Sequence, residues 1–132
     1  MATLLARLKV RAGMEARWET MMAELVDNTL AHETGVIRYE YWKGQEPRTW
    51  YGLLSFVSKL AFFTHQDAPY HRDQPYGDCI EDMHLEWLDP VDGASPLPHT
   101  TDSPLPADTP DNLREWENRS PIQVADWWAG RR

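Results

Sequence analysis

The feature that most constrains this chain is the order in which its hydrophobic period changes. Leu4, Ala6, Leu8 and Val10 alternate with Thr3, Leu5, Arg7 and Lys9, the period of two that sends successive side chains to opposite faces of a strand. After Gly13 the period lengthens. Trp18, Met21, Met22, Leu25, Val26 and Leu30 recur at three- and four-residue intervals, while Glu15, Glu19, Glu24 and Asp27 take the other side. That spacing predicts a helix of about five turns with its apolar stripe on the core, ended near residues 32–35 by a glycine in the left-handed conformation. Period two returns over residues 36–43, where Ile37, Tyr39 and Tyr41 alternate with Arg38, Glu40 and Trp42, and again over 49–56. The short link at 44–48, with Pro47 excluding further pairing, makes these two strands an antiparallel hairpin. Ser58 is placed to cap a second helix from Lys59 to about Ala68, which Pro69 stops, and residues 79–88 alternate once more as a fourth strand.

Strand, helix, strand, strand, helix, strand is the split βαβ arrangement of a ferredoxin-like α+β sheet with both helices on one face. The other face is expected to be aromatic enough to need a cover, for which a second copy is the natural choice, so a homodimer is expected. A chain of 132 residues supports about one such core. After Asp89 the composition changes: Pro90, Pro96, Pro98, Pro104, Pro106 and Pro110 oppose both helix and sheet. The expected division is therefore a ferredoxin-like domain over residues 1–89 and a Pro-rich arm over 90–132. Thr109 with Pro110, and Ser120 with Pro121, are start signals for two short helices in the arm, whose Trp116, Trp127 and Trp128 are expected to pack on the barrel. The arm's acidic charge favours a cationic landing surface.

Thirteen Lys and Arg against twenty-one Asp and Glu give a formal charge of -8, which opposes phosphate backbones and anionic lipid. Neither nucleic acid nor a membrane is an expected partner. Cys79 is the lone cysteine, so it has no intrachain disulfide partner and is read as an ordinary half-buried thiol. Residues 1–10 carry Arg7 and Lys9 inside the alternating pattern rather than the apolar run of a signal peptide, and no later run is long enough to span a bilayer. The expected location is cytoplasmic.

Three runs carry a resemblance: Leu4-Leu5-Ala6-Arg7-Leu8-Lys9-Val10-Arg11-Ala12-Gly13-Met14-Glu15, then Glu33-Thr34-Gly35-Val36-Ile37-Arg38-Tyr39-Glu40, then Phe62-Phe63-Thr64-His65-Gln66-Asp67-Ala68-Pro69-Tyr70-His71. Together they resemble the antibiotic biosynthesis monooxygenase family over residues 3–89. The resemblance implies a dimeric α+β barrel and, for several members, oxidation of quinol or anthrone substrates by molecular oxygen without flavin or metal. The superfamily also includes polyketide cyclases and haem-degrading enzymes. The haem-degrading relatives place an Asn in the first strand and a Trp in the second helix region, and this chain has neither, so haem is not expected.

His65 and His71 are the expected catalytic pair. On an unbroken helix residues six apart point about 240° from each other, but Pro69 ends the helix and lets His71 turn back toward the same cavity. A neutral imidazole, with an ordinary pKa of about 6.5, suits removal of a phenolic or carbon-bound proton. The aromatic side chains Tyr39, Tyr41, Trp42, Trp50, Tyr51, Phe56 and Trp87 lie on strands, one set facing the helices and the other the barrel interior, and alternation does not tell which set is which. Arg38, Trp50, Phe62 and His84 are the expected substrate contacts, and a small electron-rich aromatic compound held in the barrel cavity the expected substrate. His65, His71, His84 and Asp67 lack the spacing of a helical metal site, so no metal and no organic cofactor is expected, with oxygen as co-substrate. Three readings follow: a cofactor-independent monooxygenase, a cyclase or lyase-type enzyme using the same base, and a non-catalytic small-ligand-binding dimer.

Overall fold

The computed structural model describes residues 1–130. Its core elements follow the expected succession: β1 (Ala2–Val10), α1 (Glu15–His32), β2 (Val36–Lys43), β3 (Thr49–Phe56), α2 (Lys59–Asp67) and β4 (Ile80–Trp87). Two single turns, α3 (Pro69–Arg72) and α4 (Tyr76–Cys79), fill the link between α2 and β4. The sheet order is β2-β3-β1-β4 with every neighbouring pair antiparallel, so the fold is the ferredoxin-like α+β arrangement.

Register decides which side chains meet the helices, because residues directly opposite in an antiparallel pair share a face. One set of rows runs Tyr39–Leu54–Leu4–Trp87, Tyr41–Gly52–Ala6–Leu85 and Lys43–Trp50–Leu8–Met83. This face lies under α1 and α2, and its members Leu4, Ala6, Leu8, Tyr39, Trp50, Leu54 and Phe56 are buried with Trp18, Met21, Met22, Leu25, Phe62 and Phe63 of the helices. The opposite rows run Arg38–Ser55–Thr3, Glu40–Leu53–Leu5–Glu86 and Trp42–Tyr51–Arg7–His84. Of the seven strand aromatics, Tyr39, Tyr41, Trp50, Phe56 and Trp87 thus face the helices and only Trp42 and Tyr51 face away. The uncovered face is more charged than its expected aromatic character.

The α1 stripe is rotated from its sequence reading. Thr29 is buried in the line of Trp18 and Leu25, while Leu30 is turned outward. The helix end differs as well. Glu33 is extended and its backbone N–H bonds the Thr29 carbonyl, and no left-handed glycine closes the helix. Gly35 serves instead to let two elements touch: a Cβ there would stand 2.5 Å from the Ala61 Cβ on α2. Ser58 caps α2 as expected, its hydroxyl accepting from the Ala61 N–H at 3.1 Å.

Beyond β4 the chain folds back on the same subunit. Thr101 N–H donates to the Met1 carbonyl at 3.0 Å, and the buried Thr100 hydroxyl accepts from Thr3 N–H. Pro110 precedes two consecutive turns, α5 (Asp111–Arg114) and α6 (Trp116–Arg119), while the last turn, α7 (Asp126–Ala129), begins later than the Pro121 signal. A buried cation ties the arm to α2: Lys59, with its side chain 8% exposed, donates to Asp102 and to Glu117, each at 2.8 Å. Trp116 packs partly buried against the core and donates to Asp67 at 3.2 Å, and Ile122 is buried. Trp127, expected to be packed, is 64% exposed, its ring 6.1 Å from the half-buried Trp128.

Candidate active site

The last turn of α2 carries His65 inward. Its side chain lies on the same buried stripe as Phe62 and is 1% exposed. Pro69 then forces the chain out of α2 and, as the first residue of α3, starts a new turn at once. That break brings the His71 ring to 4.3 Å from the His65 ring, between centroids. The two histidines do meet, for the reason the proline suggested.

Around them the interior is polar and aromatic together. His65 Nδ1 lies 2.9 Å from Glu33 Oε1, and the Tyr70 hydroxyl donates to the same oxygen at 2.6 Å. A carboxylate only accepts, so a hydrogen of His65 sits on Nδ1, and in the neutral imidazole Nε2 is then the acceptor. Glu33 is 6% exposed in its side chain, and these two donors hold it there. Tyr39 packs on His65 at 4.6 Å, Phe56 at 5.2 Å, and Tyr76 on His71 at 5.5 Å. Tyr39 and Tyr41 approach hydroxyl to hydroxyl at 3.4 Å, and Tyr41 meets Trp18 edge to face at 6.1 Å. Tyr41 has room because the residues beneath it are Gly52 and Ala6: a Cβ on Gly52 would come within 3.1 Å of its ring.

Among the described residues, His65 Nε2, His71 Nδ1, Tyr76 Oη and Trp18 Nε1 are buried without a hydrogen-bond partner, and so is Thr29 Oγ1 on the inward stripe of α1. Four of these atoms belong to one chain of touching rings. Each buried orphan costs about 1–3 kcal/mol, so these four atoms make the chain of rings a costly concentration of unanswered polar groups. Burial, and next the nearby His65, pushes the His71 imidazole down to about 3, so it is neutral at physiological pH. Burial also holds the phenols of Tyr39, Tyr70 and Tyr76 above the usual tyrosine range, reinforced by Tyr41 at Tyr39, by Glu33 at Tyr70 and by Tyr41 at Tyr76. All three are therefore protonated.

Tyr39 and Tyr41 are also the inner wall of a groove of about 760 Å³ between α1 and β2, whose apolar lining includes Met22, Val26, Leu30 and Trp50. Glu19, Asp27 and Glu40 stand in it too, and Lys43 pairs with Glu19 across its mouth. The groove and the histidine cluster thus share a wall of two tyrosines.

The other expected contacts are dispersed. Trp50 is in the groove and Phe62 is in the core against Phe56 and Trp87, one ring removed from His65. Arg38, paired with Glu40, and His84 stand on the opposite face of the sheet and take no part in a site built on His65. Glu33, Tyr70 and Tyr76 were not singled out from the sequence. A signal for Glu33 existed: a carboxylate directly after a helix C-terminus faces the negative end of the helix dipole and needs donors to stay there. No three His, Cys, Asp or Glu side chains are gathered as metal ligands among the described residues. Nor is any described helix long and apolar enough to cross a membrane.

A four-stranded ferredoxin-like sheet roofed by two helices defines a class of small α+β proteins. The profile of the antibiotic biosynthesis monooxygenase family matches residues 1–74, and the chain belongs to that family. No curated protein matches it. Among solved structures it is similar to a candidate antibiotic biosynthesis monooxygenase from Caulobacter crescentus, at 23% identity and a TM-score of 0.64, covering 68% of this chain and 89% of the other. A protein from Shewanella oneidensis is 25% identical with a TM-score of 0.62, covering 66% and 87%. A candidate antibiotic biosynthesis monooxygenase from Bacteroides thetaiotaomicron is 17% identical with a TM-score of 0.64, covering 68% and 89%.

Proposed function

We propose that the protein is a monooxygenase that oxidises a small electron-rich aromatic compound, quinol- or anthrone-like, with molecular oxygen and without a cofactor. The observation that carries this reading is the buried, unpartnered Nε2 of His65, with Nδ1 against a carboxylate acceptor and other unsatisfied polar atoms around it. The substrate lies in the groove between α1 and β2, and its reacting end passes the Tyr39–Tyr41 pair to reach Nε2. The acidic residues of the groove favour a neutral molecule over an anion.

For an anthrone-like methylene the chemistry balances without an external reductant. His65 Nε2 takes a proton, and the resulting carbanion gives one electron to oxygen. Substrate radical and superoxide combine to a peroxide, which His65 protonates. Loss of the second methylene proton with cleavage of the O–O bond leaves a carbonyl and water, so CH2 and O2 become C=O and H2O. Glu33 stabilises the imidazolium formed in the first step, and neutral His71 adds no competing charge. Tyr76 and Trp18 supply hydrogen-bond donors in a region with little water, where such bonds are strongest. A homodimer closed over the uncovered sheet face belongs to the same proposal.

The test is an oxygen-electrode screen of quinols and anthrones with His65→Ala as control. One oxygen should be consumed per product formed, and His65→Ala should lower kcat by about 10² to 10⁴-fold. Substrate turnover without oxygen uptake would favour cyclase chemistry instead. Full turnover by both His65→Ala and His71→Ala would remove the base from the cluster.

A further inference from the structure

The Glu33–Tyr70 pair is the part of the cluster whose purpose the fold does not explain. Glu33 sits at the end of α1, Tyr70 on α3 and His65 on α2, so three separate elements converge on one carboxylate oxygen. Burying a carboxylate costs several kcal/mol unless donors answer it, and an apolar residue would have served packing better. We propose that Glu33 is a positioning residue that fixes His65 as the Nδ1–H tautomer and thereby dedicates Nε2 to the substrate. Tyr70 completes the arrangement by keeping the Glu33 oxygen turned toward His65.

This inference rests on the reading of His65 as the base. The orientation of the imidazole could otherwise be set from only a few directions. The groups that face it are Glu33 from the end of α1, Tyr39 from β2, Phe56 from β3 and His71 from α3, with Tyr76 behind His71. Tyr39 and Phe56 offer rings, and the Tyr39 hydroxyl is engaged with Tyr41. His71 Nδ1 is unpartnered. Glu33 alone of these makes a hydrogen bond to His65, and the ring nitrogen it leaves is the one without a partner.

The test is histidine 15N NMR on the full chain without ligand, which distinguishes a protonated ring nitrogen from a bare one. The wild-type spectrum should show His65 with Nδ1 protonated and Nε2 bare above pH 7. Glu33→Gln should shift the population toward the Nε2–H form, because an amide can donate to Nδ1 as readily as accept from it. Tyr70→Phe should leave the tautomer in place, since the carboxylate still accepts. On a substrate found by the oxygen screen, Glu33→Gln should lower kcat about 10²-fold with little change in KM. A wild-type spectrum with Nε2 protonated overturns the proposal even if Glu33→Gln does not fold, and so does a Glu33→Gln tautomer identical to the wild type. If the spectra are as expected and His65→Ala keeps full turnover, it is the assignment of His65 as base that has failed.

Discussion

His71 converts its burial into sensitivity to acid. Its folded-state pKa is pushed down to about 3, against about 6.5 in an unfolded chain. Between those values the unfolded chain binds the proton and the folded protein does not, so stability present above pH 6.5 is lost as the pH falls toward 3. The slope from this one group is at most about 1.4 kcal/mol per pH unit. Replacing His71 by Phe, which keeps a ring and removes the proton site, should flatten the decline in urea midpoint between pH 7 and pH 5. Equal declines in the two proteins would show that His71 takes no part in it. At this scale the sequence was legible where chain geometry announces itself: a helix broken by Pro69 between two histidines says that they can converge. It announced Glu33 only as a carboxylate in need of donors after a helix end, and not its meeting with Tyr70, because that meeting depends on how α1, α2 and α3 pack. Arg38 and His84 lie on the sheet face away from the helices, the face expected to line a barrel interior, and so stand apart from His65, a separation hidden in the sequence because alternation alone does not tell which face of a sheet its helices will cover.

The elements themselves were the most legible level, since β2 and β3 have the bounds that their period-two runs indicate. The rotation of α1 that turns Leu30 outward was not, because Thr29 is apolar enough on its methyl side to take the inward position, and Leu30 serves the groove. Gly35 shows the same limit. Its role is the close approach to Ala61, a contact between elements distant in sequence, and a local rule for helix ends points elsewhere. The arm is joined to this frame chiefly through α2. Burial alone would lower the Lys59 ammonium, but the carboxylates of Asp102 and Glu117 outweigh it and hold it above the usual lysine value. Asp67, likewise, would be raised by burial, but its donors Asn112 and Trp116 and the Arg72 cation hold it below the carboxylate range. Lys59→Met should therefore loosen the arm, lowering stability by about 1–2 kcal/mol because the freed carboxylates can return to water. Hydrogen exchange confined to residues 100–122 should speed up in that variant. Unchanged exchange there would place the arm's attachment elsewhere, in Trp116, Ile122 and the bonds to Met1 and Thr3.

For the whole molecule, the family profile ends at residue 74, and the arm from residue 90 onward lies outside it. It wraps α2 and the start of β1, on the side of the sheet edge away from the α1–β2 groove, and so leaves that groove accessible. The uncovered sheet face carries Leu5, Leu53, Tyr51 and the 60% exposed Trp42 among Arg7, Lys9, Arg38, Glu40, Asp82 and Glu86. Both charge signs are present, so a two-fold partner can pair them while covering Trp42, and such an interface buries about 1,200–2,000 Å² in all. Sedimentation at micromolar concentration should give a dimer, and a stable folded monomer would contradict that part of the account. On the proposed function, chemistry occurs at the buried histidine pair reached from the α1–β2 groove. The most direct measurement is a crystal structure with a turnover-competent quinol or anthrone bound under anaerobic conditions. The substrate should lie in the groove with its acidic oxygen or reacting carbon about 3 Å from His65 Nε2, and the Tyr39–Tyr41 pair displaced. A substrate bound instead between β4 and the arm, with the His65 cluster unchanged, would contradict it.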